Sequence, residues 1–328
     1  MKERIFIIIA ESDLNNARLI LPRALGGYGL DAQWSDDFHH SLHVLLTGEM
    51  HGYYSDFGGT EFLAQVLRDG YAYVDKYSPH RGRRQGNSPQ LAHTKQFVVC
   101  SRNHDQIGNR AQGERFSQLV SFEGLKLAAG SVVLSPFIPL LFMGEEYGEE
   151  APFQYFTSHS DPALAEAVRR GRREEFAAFH TADEVPDPQD PATFCRSKLN
   201  HALRKQGKHR VLSEFYREII GLRRELAPIA FAEKQTMHVI DMPHGQSVCI
   251  HYWAEDEAVF VVLCFAAAPV SVEWPLPSGL WRKRLDSAEE RWNGSGSSIP
   301  AEINSSGSMS LTLPGTSCLV FHEQELDQ

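Results

Sequence analysis

The sequence predicts an α/β protein in two parts: a parallel barrel-type sheet with its helices over residues 1–231, and a small antiparallel β-sandwich over residues 232–328. Three observations carry this reading. Ile7-Ile8-Ile9-Ala10-Glu11-Ser12 and Phe97-Val98-Val99-Cys100-Ser101-Arg102-Asn103-His104-Asp105 are apolar runs that end on a carboxylate, the pattern by which a parallel barrel places acids at the rim where its loops converge. Short apolar runs alternate with longer helix-like stretches from residue 1 to about residue 159, the βα rhythm of a parallel sheet. Beyond Pro228 the apolar period changes from 3.6 to 2, as antiparallel strands require.

The elements follow in order. Residues 5–10 form the first strand, and residues 30–34 a second after the Gly26-Gly27-Tyr28-Gly29 turn. Residues 60–74 read as a helix, with Phe62, Leu63, Val66, Leu67 and Tyr71 at helical spacing. Residues 96–100 are the third strand, residues 116–133 helical, and residues 140–143 the fourth strand, which makes four βα units. Residues 162–179 are helical, with Leu164, Val168 and Phe176 on one face. The connector Val185-Pro186-Asp187-Pro188-Gln189-Asp190-Pro191 cannot continue a helix. Residues 199–226 are helical again, and residues 247–253, 258–265, 308–313 and 317–322 are strands. The Gly-Ser stretch 293–308 reads as a loop, and no internal repeat is visible.

Composition bounds the function. The chain is 42% hydrophobic and 23% charged, as a globular protein is. A formal charge of −10 argues against a nucleic-acid or anionic-membrane partner. The one basic cluster, Arg169-Arg170-Gly171-Arg172-Arg173, is followed at once by Glu174 and Glu175 and reads as a solvated helix face. Five cysteines without metal-ligand spacing read as buried thiols of a reducing compartment. Met1-Lys2-Glu3-Arg4 and the six apolar residues after it are too short for a signal peptide. Residues 132–143, broken by Pro136 and Pro139, fall short of a membrane span. The expected setting is cytoplasmic.

Two acids flanking one sugar linkage are the working parts of a glycosidase. Glu11 stands where a buried strand meets a polar turn, and partial burial keeps a carboxyl protonated near neutral pH. On local sequence alone a helix cap or an arginine partner is the favoured role for Glu11. Trp34-Ser35-Asp36-Asp37-Phe38-His39-His40 packs two acids, two histidines and two aromatics into seven residues. Adjacent histidines do not easily share one metal ion. Aromatic faces that stack on sugar rings, with carboxylates and imidazoles that pair with hydroxyls, fit better. Phe38 is the member that reads most readily as packing.

Ala10-Glu11-Ser12-Asp13-Leu14-Asn15, the Trp34 to His40 cluster with Ala32 and Gln33 before it, and Asn103-His104-Asp105-Gln106-Ile107-Gly108-Asn109 together resemble the maltooligosyltrehalose trehalohydrolase family of the α-amylase superfamily. The resemblance implies the second half of a (β/α)8 TIM barrel followed by the C-terminal β-sandwich. It reverses the order of roles for Glu11, making it the proton donor, and it makes Asp105 the stabiliser of an oxocarbenium-like transition state. It implies substrate contacts at Trp34, Asp36, Asp37, Phe38, His39 and His40, which would hold the trehalose end. The motif at His104, Gln106, Ile107, Gly108 and Asn109 would hold sugar hydroxyls. The block Leu141-Phe142-Met143-Gly144-Glu145-Glu146-Tyr147-Gly148-Glu149 resembles the family as rim architecture, and Gly52-Tyr53-Tyr54-Ser55-Asp56-Phe57 divides evenly between cleft and helix packing. Neither a metal nor a cofactor is implied.

A retaining glycosidase also needs a nucleophilic carboxylate, roughly 5 Å from the acid. The resemblance places that aspartate upstream of Glu11 in a Gly-x-Arg-x-Asp pattern. The nearest likeness here, Arg284-Leu285-Asp286, has Arg282 in place of the glycine and falls in the sandwich. The expectation is therefore an α-glucan hydrolase chain that lacks its nucleophile, is inactive alone and needs the other half of its barrel. A half-barrel leaves strand edges uncovered and is prone to self-association. A glucan branching enzyme, and a non-catalytic glucan-binding or subunit-like protein, are the alternatives.

Overall fold

The computed structural model describes residues 6–177 and 185–324. Residues 1–5, including Ile5 of the first expected strand, and residues 178–179 of the expected 162–179 helix lie outside the described residues. The chain forms two compact units, one of residues 1–101, 126–140 and 214–328, the other of residues 102–125 and 141–213. The helices are α1 (Asp36–Thr47), α2 (Thr60–Asp69), α3 (His104–Gly108), α4 (Phe116–Leu119), α5 (Phe122–Val133), α6 (Pro162–Ala177), α7 (Pro191–Arg196), α8 (Gly207–Glu225) and α9 (Ala227–Ala230). The strands begin with β1 (Ile9–Ala10), β2 (Ala32–Trp34), the hairpin β3 (Lys76–Ser78) and β4 (Arg83–Gln85), β5 (Phe97–Val99) and β6 (Ile138–Pro139). In the sandwich they are β7 (Met237–Met242), β8 (Ser247–Ala254), β9 (Glu257–Cys264), β10 (Val270–Trp274), β11 (Gly279–Asp286), β12 (Glu302–Ser305), β13 (Met309–Leu313) and β14 (Ser317–Gln324).

In the first unit β1, β2, β5 and β6 form a four-stranded parallel sheet in that order. Its strands are shorter than the apolar runs that predict them. The Ile8 N–H donates to the Asp31 carboxylate at 2.7 Å instead of to a neighbouring strand, so strand pairing starts at Ile9. Phe6, Ile7, Ile8 and Ile9 are 78, 70, 57 and 45% exposed, so the expected buried strand over residues 5–10 is corrected to a two-residue strand with exposed side chains. The fourth strand is Ile138–Pro139 and not residues 140–143. Pro139 has no N–H, and among the described residues β6 pairs only with β5, so the proline sits where a sheet tolerates one.

Helix α1 was not visible in the apolar pattern, because Phe38, Leu42 and Val44 share their buried positions with His39, His40 and His43. The expected 60–74 helix stops at Asp69 because Gly70 turns left-handed at φ +98°. A Cβ there would lie 2.5 Å from the Phe97 ring, so the turn is pressed against the sheet.

After Phe231 the same unit builds an antiparallel six-stranded sheet, β12-β11-β14-β9-β8-β7, faced by the pair β10-β13. Phe260, Trp274, Trp281 and Phe321, all fully buried, fill the space between; the Trp274 and Phe321 ring centroids are 5.5 Å apart. Strands β8, β9, β13 and β14 lie where the period-2 runs predict them. The expected 293–308 loop contains β12, which pairs with β11.

Sheet and sandwich share one interior. Lys126 of α5 is fully buried, and its ammonium donates to the carbonyls of Ser287 at 2.6 Å and Trp292 at 2.8 Å. Arg223 of α8 donates to the carbonyls of Val133, Ser135 and Phe137, and the Tyr252 hydroxyl donates to Leu134 O at 2.9 Å. Together they close the turn that leads into β6. A Cβ on Gly130 would stand 2.6 Å from Cys318 Sγ, so α5 lies directly against β14.

The second unit holds α3, α4, α6 and α7. At its centre Glu149, 1% exposed, accepts hydrogen bonds from Tyr147 Oη, the Asn200 N–H and the N–H groups of Glu150 and Ala151. Burial works against the Glu149 carboxylate, but the Ala151 N–H, the Tyr147 hydroxyl and the Asn200 and Glu150 N–H groups outweigh it and hold the group below its usual range. Among the described residues no helix is long and apolar enough to cross a membrane.

Candidate functional site

Glu11 follows β1 directly and is exposed, on a chain that then turns sharply. Asn15 takes φ +51°, a left-handed conformation that asparagine accepts more readily than most residues. The segment between them is held from several sides. Gln33 Nε2 donates to Ser12 O at 3.4 Å, Gln85 Nε2 to Asp13 O at 2.5 Å, and the Asp13 carboxylate pairs with Arg81 at 2.7 Å. Asn87 closes the far side, its N–H on Asn15 O and its side chain accepting the Ala17 N–H. Asp13 and Gln33 lie in segments quoted from the sequence, whereas Arg81, Gln85 and Asn87 were not singled out; for Asn87 the Gly86-Asn87 turn signal was the available pointer.

The Trp34 to His40 cluster straddles the end of β2 and the first turn of α1. Trp34 is half-buried and Asp36 is 23% exposed on its side chain. Asp36 Oδ1 lies 3.5 Å from His39 Nε2. Burial works against the Asp36 carboxylate, but the His39 imidazole and the Arg81 guanidinium outweigh it and hold the group below the ordinary carboxylate range.

Asp37 is 4% exposed, and its Oδ2 accepts three N–H groups: Asn15 Nδ2 at 2.7 Å, Ala72 N at 2.8 Å and Tyr73 N at 3.0 Å. Burial pushes its carboxyl up to about 6 against those donors. Phe38 is fully buried, edge-on to Phe137 at 6.4 Å. These two side chains point into the protein, and the expectation of sugar contact gives way to interior bonding for Asp37 and to packing for Phe38.

His39 and His40 are 1 and 7% exposed, with ring centroids 4.2 Å apart. The His40 ring lies 4.8 Å from that of Tyr53 and 5.0 Å from that of Phe57. Burial, joined by the neighbouring His39 ring and the Arg81 guanidinium, holds His40 well below its usual range, so it is neutral at pH 7. The 52–57 segment divides: Tyr54 and Phe57 are buried against these rings, while Tyr53 is 40% exposed.

In the second unit, Asn103 caps α3. Its side chain accepts the Asp105 N–H at 2.8 Å while its own N–H donates to Gln106 Oε1 at 2.8 Å, a reciprocal capping box. The cap fixes the backbone beneath His104 and Asp105, whose side chains are 49 and 51% exposed and 3.5 Å apart. Gln106 spends its oxygen on the cap, Ile107 is 3% exposed and Gly108 is buried, its carbonyl accepting Arg172 Nη2. Asn109 is exposed at the end of the helix. Of the seven-residue motif, His104, Asp105 and Asn109 therefore face outward, and the rest is support.

Arg284-Leu285-Asp286 lies on β11, where Asp286 is fully buried and Arg284 pairs with Glu225 at 2.7 Å. The Arg169 to Arg173 cluster is ion-paired along α6, with Arg169 on Asp187 and Glu166 and Arg172 on Glu175. All five cysteines are thiols; Cys195 is exposed, which corrects the expectation that all are buried.

No family model matches the chain. Malto-oligosyltrehalose trehalohydrolase from Rhizobium sp. (strain M-11) is 49% identical over 274 residues, 82% of this chain and 45% of that protein. The Brevibacterium helvolum protein of the same name is 50% identical over 234 residues, 70% of this chain and 40% of its own length. A crystal structure from Salmonella typhimurium, provisionally classed as an α-amylase, superposes with a TM-score of 0.79 at 34% identity, over 97% of this chain and 51% of that one. α-Amylase from Geobacillus thermoleovorans, complexed with acarbose, shares the fold alone, at 13% identity and a TM-score of 0.55. The chain spans less than half the length of the curated relatives it matches. Over that span it belongs to the malto-oligosyltrehalose trehalohydrolase family, with the fold of the α-amylases.

Proposed function

We propose that this chain is the part of a glycoside hydrolase that carries the general acid and the transition-state stabiliser, and that the enzyme releases trehalose from maltooligosyltrehalose by cleaving the adjacent α-1,4 bond with retention. The observation that carries the reading is 49% identity over 82% of the chain to a malto-oligosyltrehalose trehalohydrolase. On this reading residues 1–231 are the second half of a (β/α)8 barrel with its connecting helices, residues 232–328 the C-terminal sandwich, and the setting cytoplasmic.

Glu11, exposed at a strand end, protonates the leaving glycosidic oxygen and then, as a carboxylate, deprotonates the water that resolves the glycosyl-enzyme. Asp105, fixed by the α3 cap, stabilises positive charge on the distorted ring, and His104 pairs with a sugar hydroxyl. Asp36, His39, His40, Trp34 and Asn109 contribute to substrate recognition. The nucleophile comes from sequence outside these 328 residues.

The test is an assay of the purified chain, alone and mixed with a polypeptide carrying the upstream half of the Rhizobium relative. The expected result is no hydrolysis alone, and trehalose release on mixing that falls about 10²–10⁴-fold in Glu11→Gln. Hydrolysis by the chain alone would overturn the external nucleophile. Equal kcat/KM on plain maltooligosaccharide would favour a general α-amylase or branching activity, and binding without turnover a glucan-binding subunit.

A further inference from the structure

We infer that this chain pairs with a second copy of itself along the open edge of β1, in an antiparallel, two-fold contact centred on Ile8, and that β6, the other edge of the same sheet, takes no part. The contact uses the edge that the upstream half of the enzyme would occupy, and to that extent it rests on the reading above.

The two edges of the four-stranded parallel sheet differ in what they offer. Among the described residues β1 pairs only with β2, and β6 only with β5. The Ile8 N–H donates to the Asp31 carboxylate and the Ile8 carbonyl accepts the Asp31 N–H at 3.0 Å, so Ile8 spends both backbone groups on the β2 side. Backbone groups of successive strand residues point to alternate edges, which turns the N–H and C=O of Ile7 and Ile9 away from β2. Phe6, Ile7, Ile8 and Ile9 are exposed at every position, so no layer covers either face of this edge. The stretch from Phe6 to Ala10 carries neither charge nor proline, the devices by which edge strands avoid pairing.

Strand β6 is blunted. The Leu140 N–H donates to Val99 O at 2.8 Å, toward β5, which sets residue 139 on the outer edge, and Pro139 has no N–H to give there. The next outward carbonyl, at Phe137, already accepts Arg223 Nη2. A head-to-tail seam between β6 of one copy and β1 of the next would therefore lack a donor and find an acceptor taken. One β1 edge against another lacks neither: Ile7 of each copy faces Ile9 of the other, each pair exchanging two N–H···O=C bonds, with Ile8 opposite Ile8 between them. The isoleucines then meet as cross-strand neighbours on both faces. The joined sheet ends at a blunted β6 on either side, so association closes at two copies and does not propagate.

The test is the mass of the purified chain in solution, by light scattering across the micromolar range, with twice the chain mass expected. Ile7→Pro removes an outward N–H and leaves the β2 side untouched; it should halve the mass with an unchanged far-UV circular dichroism spectrum. Ile138→Lys, on the β6 edge, should leave the dimer intact. Facing residues of a non-hydrogen-bonded pair have Cα atoms about 4.5 Å apart, within disulfide reach. Under oxidised glutathione Ile8→Cys should therefore link two chains, while Ile7→Cys, which faces Ile9, should not; the exposed Cys195 is common to both. If Ile7→Pro disturbs the fold, these two variants decide. A monomeric chain, an open series of oligomers, a dimer dissolved by Ile138→Lys, or a link at Ile7→Cys in place of Ile8→Cys would overturn the inference. Adding the upstream half of the Rhizobium relative in excess separates it from the reading it rests on. Conversion to a one-to-one complex supports both, and a dimer that persists with the upstream half bound overturns the shared edge. A dimer to which the upstream half does not bind upholds the pairing and counts against the half-barrel reading.

Discussion

The Trp34 to His40 segment and the Asn103 to Asn109 segment look alike as sequences: each sets acids beside histidines, and each follows a short apolar run. Folded, they differ. The first turns Asp37 and Phe38 inward, at 4 and 0% exposed, where Asp37 holds neighbouring turns and Phe38 packs against Phe137. The second buries its cap and leaves His104 and Asp105 half in solvent. Residue type announces chemistry, and only the donor and acceptor partners decide whether that chemistry is spent on the protein or offered to a ligand.

Three experiments would break or sharpen this contrast. Phe38→Ala should act on stability, lowering it by about 3–5 kcal/mol as buried aromatic deletions do, read from urea midpoints; a loss below about 1 kcal/mol would mean the ring is not the packing element described. Asp105→Asn should do the opposite. Its half-exposed side chain predicts a stability change within about 0.5 kcal/mol and a rate loss of about 10²–10³-fold in the restored enzyme, so a destabilised variant with normal turnover would erase the contrast.

The smallest effect is a pH dependence. Asp37 is held at about 6 in the folded chain, against 3.8 for the ordinary group, chiefly by burial. Between those values the unfolded chain loses this proton and the folded chain keeps it. The contribution of Asp37 to stability is therefore present at low pH and lost as pH rises through about 6. Asp37→Asn keeps an oxygen for the Ala72 and Tyr73 N–H groups and removes the titration. Its stability relative to wild type should improve from pH 4 to pH 6.5, and a pH-independent difference would contradict the assignment.

Much of the fold was legible where one physical signal dominates. Strands β8, β9 and β14 are eight residues each and stand out by their short runs of β-branched, aromatic and other apolar side chains. Strand β12 did not, because Glu302-Ile303-Asn304-Ser305 offers one apolar side chain amid glycine and serine. Helix α1 was hidden because histidines fill its buried face. The ends of the parallel strands were misjudged where a side chain intervenes, as Asp31 does at Ile8. In the site, Glu11, His104 and Asp105 could be picked out as polar groups at strand ends. The turns of Asp37 and Phe38 into the interior could not, since their partners Asn15, Ala72, Tyr73 and Phe137 lie 22 to 99 residues away in the chain.

The buried ammonium of Lys126 sets a limit on how this architecture can be shuffled in evolution. Its two carbonyl partners, at Ser287 and Trp292, belong to the sandwich, while the lysine belongs to a helix beside the parallel sheet. A recombination event that exchanged the stretch after residue 231 for an unrelated module would take these two carbonyls from the enclosed ammonium, a loss of about 3–5 kcal/mol. A viable chimera therefore needs its junction elsewhere or a neutral residue at position 126.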